Sequence, residues 1–346
     1  MNPHVTIKDI AKALDISTST VSRALCDAWD VKRETKEKVL AMARQLNYRP
    51  NLNAKNLQNK RSGTIGIIIP EFVESFFPNV LMGIQEVLNE NKYRMIITQS
   101  NESRNQELDN LRLLQEHMVD GIMMSITIEG GNEAVYNEVI AGGMPMVFFN
   151  RCPNNVNASK VLINDCHIAE KAVEHLINSG RRNIFHFKGP ENLDVTHKRA
   201  QGFCNVLERY HISPAGRIIP AGIFIKDGEQ AMSKILSEGK VIPDAIFCFN
   251  DPVAIGVIKT LKKNNIKIPE DIAIVGFSES PMATVIDPPL TSILQPMKEM
   301  GRQAAQLMIN QLNSNHTLPL QTICLEAKLN IRESSSHKNG IQLMTE

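Results

Sequence analysis

From Thr64 onward the sequence alternates short, uninterrupted apolar runs with amphipathic stretches, and this alternation leaves few architectures open. The runs cover residues 64–70, 93–98, 120–125, 145–149, 161–163, 184–187, 245–249 and 272–275. They are strand-sized and apolar at successive positions, so both faces of each strand must be covered. Between them, residues 78–91, 106–117, 168–178, 199–210, 230–236 and 254–264 repeat apolar residues at helical spacing. Alternating strand and helix of this kind predicts an α/β body with parallel sheets. The strands are too many for one small doubly wound sheet, which predicts two such units in tandem. No internal repeat of solenoid length is visible.

Open α/β sheets bind ligands beyond the carboxyl ends of their strands. That rule selects residues 71–77, 125–129, Asn150 and Arg151, Asn164 and Asp165, 188–197, Asn250 and Asp251, and 276–280. Phe76 and Phe77 are adjacent aromatics, expected on a loop where a ring can stack on a sugar or a base. Asn150, Arg151, Arg199, Asn250 and Asp251 can hydrogen-bond hydroxyls or an acidic group.

The first 61 residues differ from the body. The net charge is +1, but residues 1–61 hold twelve Lys/Arg against six Asp/Glu, a local +6 that leaves −5 for the rest. A basic head on an acidic body suits a polyanion partner. Apolar residues recur at helical spacing at Ile7, Ile10, Ala11 and Leu14, at Val21 and Leu25, and at Val39, Ala43 and Leu46, predicting three short helices. A break at Leu14-Asp15-Ile16 precedes Ser17, a good N-cap, so the first two helices read as a helix-turn-helix. The outer face of the second helix is almost all hydroxyls plus Arg23. Such a face suits a helix whose N-terminus enters the DNA major groove, where hydroxyls reach base edges or phosphates and Arg can hold guanine in bidentate fashion.

Three stretches of the head carry a resemblance: Thr6-Ile7-Lys8-Asp9-Ile10-Ala11, then Ser17-x-x-Thr20-Val21-Ser22-Arg23-Ala24-Leu25, then Tyr48-Arg49-Pro50-Asn51. The pattern resembles the lac-repressor family of bacterial transcription regulators. The likeness implies that Thr18, Ser19 and Arg23 read bases and that Thr6, Ser17, Ser22 and Thr35 hold phosphates, with Tyr48, Asn51 and Ala54 also at the DNA. It implies that residues 50–61 form a hinge helix paired in the minor groove, with Leu57 wedged between base steps. Asp15 stands where the family usually has Gly, and Lys32 where it often has a helix-capping Ser.

The resemblance continues through Gly66, Phe76-Phe77, Gly83-Ile84, Asp120-Gly121-Ile122, Arg199-x-x-Gly202-Phe203, Asn250-Asp251-x-x-Ala254-x-Gly256, 269–277 and 288–296. It implies a two-lobed, periplasmic-binding-protein-like body with an effector in the cleft, lined by Arg199, Asn250, Phe224 and Phe76. After Gly276-Phe277 the family usually has Asp; here Ser278 and Glu279 follow, so an acidic or phosphorylated sugar is compatible and Glu279 is a possible substitute for the carboxylate. The expected layout is a head over 1–49, a hinge over 50–61, a body over 62–333 and a disordered tail over 334–346. Within the body, lobe one takes 62–162 plus about 292–321, and lobe two takes 163–291 plus about 322–333.

Enzyme motifs are absent: there is no phosphate-binding G-x-x-x-x-G-K-[ST], no G-x-G-x-x-G, no H-E-x-x-H and no G-x-S-x-G. The six cysteines are scattered without C-x-x-C, and read as small hydrophobes in a reducing cytosol. No cofactor or metal is expected. No apolar run is long enough to span a bilayer, and residues 1–9 lack the apolar core of a secretory signal. A periplasmic binding protein would need that signal and no basic head. A sugar-modifying enzyme with a regulatory head would need turnover of its ligand. The expectation is therefore a cytoplasmic regulator, acting as a homodimer on a double-stranded, roughly palindromic operator and controlled by a small-molecule effector. The tail has no heptads, which favours a dimer over a tetramer.

Overall fold

The computed structural model describes residues 5–48, 61–72, 75–239, 241–314, 316 and 318–336. The chain divides into two compact units, residues 1–62 and 63–346.

The first unit holds α1 (Ile7–Leu14), α2 (Thr18–Leu25) and α3 (Arg33–Gln45). Thr6 precedes α1, and its N–H and hydroxyl both donate to the Asp9 carboxylate at 2.8 Å. Those bonds hold the Asp9 carboxyl below the usual range. Asp15 ends α1 in the left-handed region (φ 52°), its N–H returning to the Ala11 carbonyl. Asp tolerates that conformation, so the turn forms without the glycine the family uses. Ser17 then caps α2, accepting from the Thr20 N–H at 3.1 Å. Lys32 precedes α3 without a side-chain cap. Ile10, Ala11, Val21, Val39 and Ala43, all in the three apolar stripes, form the buried core together with Ala24. The hinge positions Asn51, Ala54 and Leu57 lie outside the described residues.

The second unit begins with β1 (Thr64–Ile69), α4 (Phe76–Glu90), β2 (Arg94–Gln99), α5 (Arg104–Glu116), β3 (Gly121–Met124), α6 (Glu133–Ala141), β4 (Met146–Phe149) and β5 (Ser159–Ile163). A second lobe follows with α7 (Asp165–Asn178), β6 (Ile184–Lys188), α8 (Asp194–Arg209), β7 (Ile218–Pro220), α9 (Ile225–Ser237), β8 (Ala245–Cys248), α10 (Asp251–Lys263), β9 (Ala273–Val275) and α11 (Met282–Val285). The chain then adds β10 (Ser292–Leu294), α12 (Met297–Asn313), β11 (Thr322–Leu325) and β12 (Lys328–Asn330). The first lobe's sheet runs β11-β5-β4-β3-β1-β2 and the second's β7-β6-β8-β9, each parallel throughout. In β1, Ile65, Ile67 and Ile69 pack into one core and Ile68 into the core on the other side. That is why the strand reads as an unbroken apolar run. Antiparallel β10 and β12 carry the chain between the lobes.

Two expectations need correction. Residues 322–325 fall in the first lobe, because β11 adds to the exposed edge of β5 with Thr322 opposite Lys160. Nor does the tail begin at Ser334. The Ser334 hydroxyl donates to the Ile274 carbonyl (2.6 Å) and accepts from the Thr291 N–H (2.8 Å), while Ser335 bonds His175 and Thr291. Polar serines are buried here because each hydroxyl is paired, which periodicity cannot reveal. Residues 337–346 lie outside the described ones.

Close helix contacts rest on glycines. A Cβ on Gly83 of α4 would overlap the Lys298 carbonyl of α12, and one on Gly301 would overlap the Val80 carbonyl. Gly228 and Gly256 do the same for α9 and α10. Because the obstacle is backbone, Gly83→Ala forces α4 and α12 apart. We expect a loss of about 1–3 kcal/mol in urea unfolding of the full chain.

Candidate functional site

In the head, α2 presents Ser17, Thr18, Ser19 and Arg23 at the surface, with Ser22 half-buried. Ser17 also bonds the Ser19 (2.7 Å) and Thr20 (2.8 Å) hydroxyls, so the first turn is a linked patch of hydroxyls. The Arg23 side chain is 57 % exposed and pairs with Asp30. Thr35 lies in the first turn of α3, half-buried. Thr6 is exposed, although its hydroxyl already serves Asp9. Tyr48 packs partly against the head core.

In the body, a cavity forms at the carboxyl ends of both sheets. Glu71, Ser75, Phe76, Phe77, Asn150 and Arg151 line it from the first lobe. Val195, Arg199, Phe249, Asn250, Pro252, Ser278 and Ser280 line it from the second, and Gln295 follows β10. Arg199 is its deepest charge. Its Nε donates to Asp165 Oδ1 (2.8 Å), its Nη1 donates to the Phe249 carbonyl (2.7 Å), and its Cζ lies 3.5 Å from the Phe277 ring centre and 4.7 Å from that of Phe249. Both partners are buried. Burial raises the Asp165 pKa and lowers that of Arg199, each effect opposed by the other's charge. Three of the five guanidinium N–H groups remain beyond these two bonds.

The first lobe supplies a second guanidinium. Arg151 donates to both Glu102 oxygens (2.7 and 3.0 Å) and lies 5.8 Å from the Phe77 ring centre. Phe76 and Phe77 meet edge to face at 5.1 Å. They are buried in the first turn of α4 rather than on a loop, because the helix starts immediately after Ser75. Asn250 caps α10, accepting from Val253 N–H (3.0 Å) and donating to the Ile223 carbonyl (2.8 Å). Ser278 and Glu279 are consecutive non-glycine residues with positive φ (103° and 51°), a costly conformation of the kind that clusters at binding sites. The Ser278 hydroxyl accepts from Gln295 Nε2 (3.0 Å), while Gln295 Oε1 is buried with no partner among the described residues.

Three expected effector residues stand outside the lining. Phe224 is 53 % exposed, because the Asp227 carboxylate takes the Ile223 and Phe224 N–H groups and the resulting cap leaves the ring outward. Asp251 is fully buried behind the wall, accepting from the Ser292 hydroxyl (2.6 Å) and the Ser280 N–H (2.5 Å). Burial pushes its carboxyl up to about 7 against those bonds. Glu279 turns away to pair with Arg332. The strand-end rule covered Glu71, Ser75, Val195 and Ser280 only as parts of segments, and missed Phe249, Pro252 and Gln295. Gln295 reaches the cavity through the crossover after β10, a strand too short to show a period.

Residues 6–51 match the lacI family of bacterial regulatory proteins, and residues 173–335 match the periplasmic binding protein-like domain. The ribose operon repressor of Halalkalibacterium halodurans is 31 % identical over 332 residues, covering 95 % of this chain and 97 % of the relative. This chain belongs to the lacI family. A solved complex of the transcriptional regulator CelR with cellobiose aligns with this lacI-family chain at a TM-score of 0.73 and 25 % identity, over 95 % of this chain and 99 % of the other. The lac repressor dimer bound to operator and the anti-inducer ONPF shares the fold at a TM-score of 0.82 and 22 % identity, over 96 % and 99 % of the two chains. The lacI-family chain is accordingly a DNA-binding transcription regulator and not an enzyme. Among the described residues no cluster of three or more His, Cys, Asp or Glu could hold a metal. Among them no helix is long and apolar enough to cross a membrane.

Proposed function

We propose that this regulator is a cytoplasmic repressor that binds a roughly palindromic operator as a homodimer, under control of a sugar or sugar derivative held in the body cavity. The observation that carries the effector's class is the lining of that cavity. It combines the amides Asn150, Asn250 and Gln295 and the guanidiniums Arg151 and Arg199 with the aromatic faces of Phe76, Phe77 and Phe249. Planar donors and acceptors suit hydroxyls, and aromatic faces suit the C–H faces of a pyranose or furanose. Each guanidinium already has a carboxylate, so a neutral sugar leaves no charge unmatched. The names of similar proteins, one from a ribose operon and one bound to cellobiose, agree with this class.

The effector acts by preferring one closure of the two lobes, and so changes operator affinity by its differential affinity for the two states. Thermal unfolding of the full chain with pentoses, hexoses, disaccharides, sugar phosphates and nucleobases identifies it. A sugar should raise the melting temperature and, at the same concentration, shift operator affinity. A nucleobase as the sole stabiliser would exclude the sugar class. In the head, Arg23→Ala should relax base preference at a cost of about 1–3 kcal/mol if the contact is bidentate to guanine. An equal loss on all sequences would make Arg23 a phosphate clamp instead.

A further inference from the structure

Trp29 is the single tryptophan of the chain, and it is 95 % exposed in the turn between α2 and α3. Among the described residues the next most exposed large hydrophobics, Val241 and Val285, stand at 72 and 71 %. Around Trp29 the turn is tied down. The Ala28 N–H donates to the Arg23 carbonyl (2.9 Å) and the Val31 N–H to the Ala28 carbonyl (3.3 Å). Lys36 Nζ donates to the Asp27 carboxylate (2.6 Å), and Asp30 pairs with Arg23. Val31 packs against the head core. The backbone on both sides of Trp29 is thus anchored to α2 and α3 while the indole alone projects.

The surroundings indicate what it meets. Arg23 lies before the turn, and Lys32, Arg33 and Lys36 follow it. The two turn carboxylates, Asp27 and Asp30, are matched by Lys36 and Arg23. The indole therefore stands three residues before the exposed Lys32, in a stretch whose other cations are ion-paired (Arg33 with Glu37), a short distance in sequence from the hydroxyl-rich start of α2. An indole has a large apolar face and one N–H that only donates. A deoxyribose beside a phosphate oxygen offers both complements, and contacts of that kind fix register without reading sequence.

We propose that Trp29 is a DNA-contact residue. Its ring packs on the sugar–phosphate backbone at the edge of the groove entered by α2, and its N–H donates to a phosphate. This rests on the assignment of α2 as the groove helix. The single tryptophan makes the test direct. The full chain is used to enrich a duplex from a randomised pool, and binding is followed by anisotropy of that labelled duplex. Acrylamide quenching then reports the exposure of Trp29 in the free and the DNA-saturated protein. DNA should shield Trp29 several-fold. Trp29→Ala should weaken binding about tenfold, equally for the enriched and a scrambled duplex, as the loss of one backbone contact from a small interface requires. Its melting temperature should be unchanged, since the side chain touches little else. Unchanged quenching at saturation, or unchanged affinity of Trp29→Ala, overturns the proposal, and a protein partner for the exposed ring then takes its place. Failure of the α2 assignment shows separately, as a variant carrying Thr18→Ala, Ser19→Ala and Arg23→Ala whose affinity and preference between enriched and scrambled duplex both equal those of the parent.

Discussion

Replacing Asp165 by Asn should lower the stability of the body by about 3–5 kcal/mol, because it leaves a buried guanidinium without its counter-charge. Arg199 sits between the rings of Phe249 and Phe277, and its other hydrogen bond goes to a neutral carbonyl. Asn still accepts one N–H but carries no charge. In urea unfolding the midpoint should fall with an unchanged slope. A double variant, Asp165→Leu with Arg199→Met, removes both charges and should recover much of the loss, since apolar replacement of a whole buried pair is often near neutral. If the single and double variants are equally unstable, the pair is not what holds this region. The double variant should also lose the effector, because Arg199 lines the cavity.

Stability should fall as pH rises from about 4 to about 7, by on the order of 4 kcal/mol from Asp251 alone. Its folded pKa is pushed from the ordinary 3.8 up to about 7 by burial. Within that window the folded chain still holds the proton and the unfolded chain has released it, so stability declines with rising pH. Above about 7 both states are ionised and the loss is complete. Glu107 adds in the same direction: burial raises its pKa despite hydrogen bonds from the Tyr136 hydroxyl, Asn132 and the Thr127 N–H. Other groups titrate too, so the readout is a difference. Asp251→Asn should show a flatter pH profile of the urea midpoint than the parent. Parallel profiles would place the Asp251 carboxyl near its ordinary range.

Asp165 and Asp251 show why residue type at a strand end does not place a side chain. Asp165 and Asp251 were both selected by the strand-end rule, and both are indeed at strand ends. Yet neither lines the cavity: one orients Arg199, and the other ties the 278–280 loop to Ser292. Phe224 shows the opposite displacement, a residue of suitable type that its helix cap leaves facing outward. A carboxylate at a strand end reads the same in sequence whether it faces the ligand or the wall behind it.

The alternation of continuous apolar runs with amphipathic stretches is enough to make the body α/β with parallel sheets. It suffices because strand burial on both faces is a local compositional demand. The head was equally legible, since one apolar stripe per helix, a cap at Ser17 and a tolerated left-handed Asp15 are written in adjacent residues. Long-range packing places 322–325 in the first lobe's sheet, buries Ser334 and Ser335, and brings Gln295 to the cavity. Each depends on a partner far away in the chain, and neither periodicity nor capping carries information about pairing at that range.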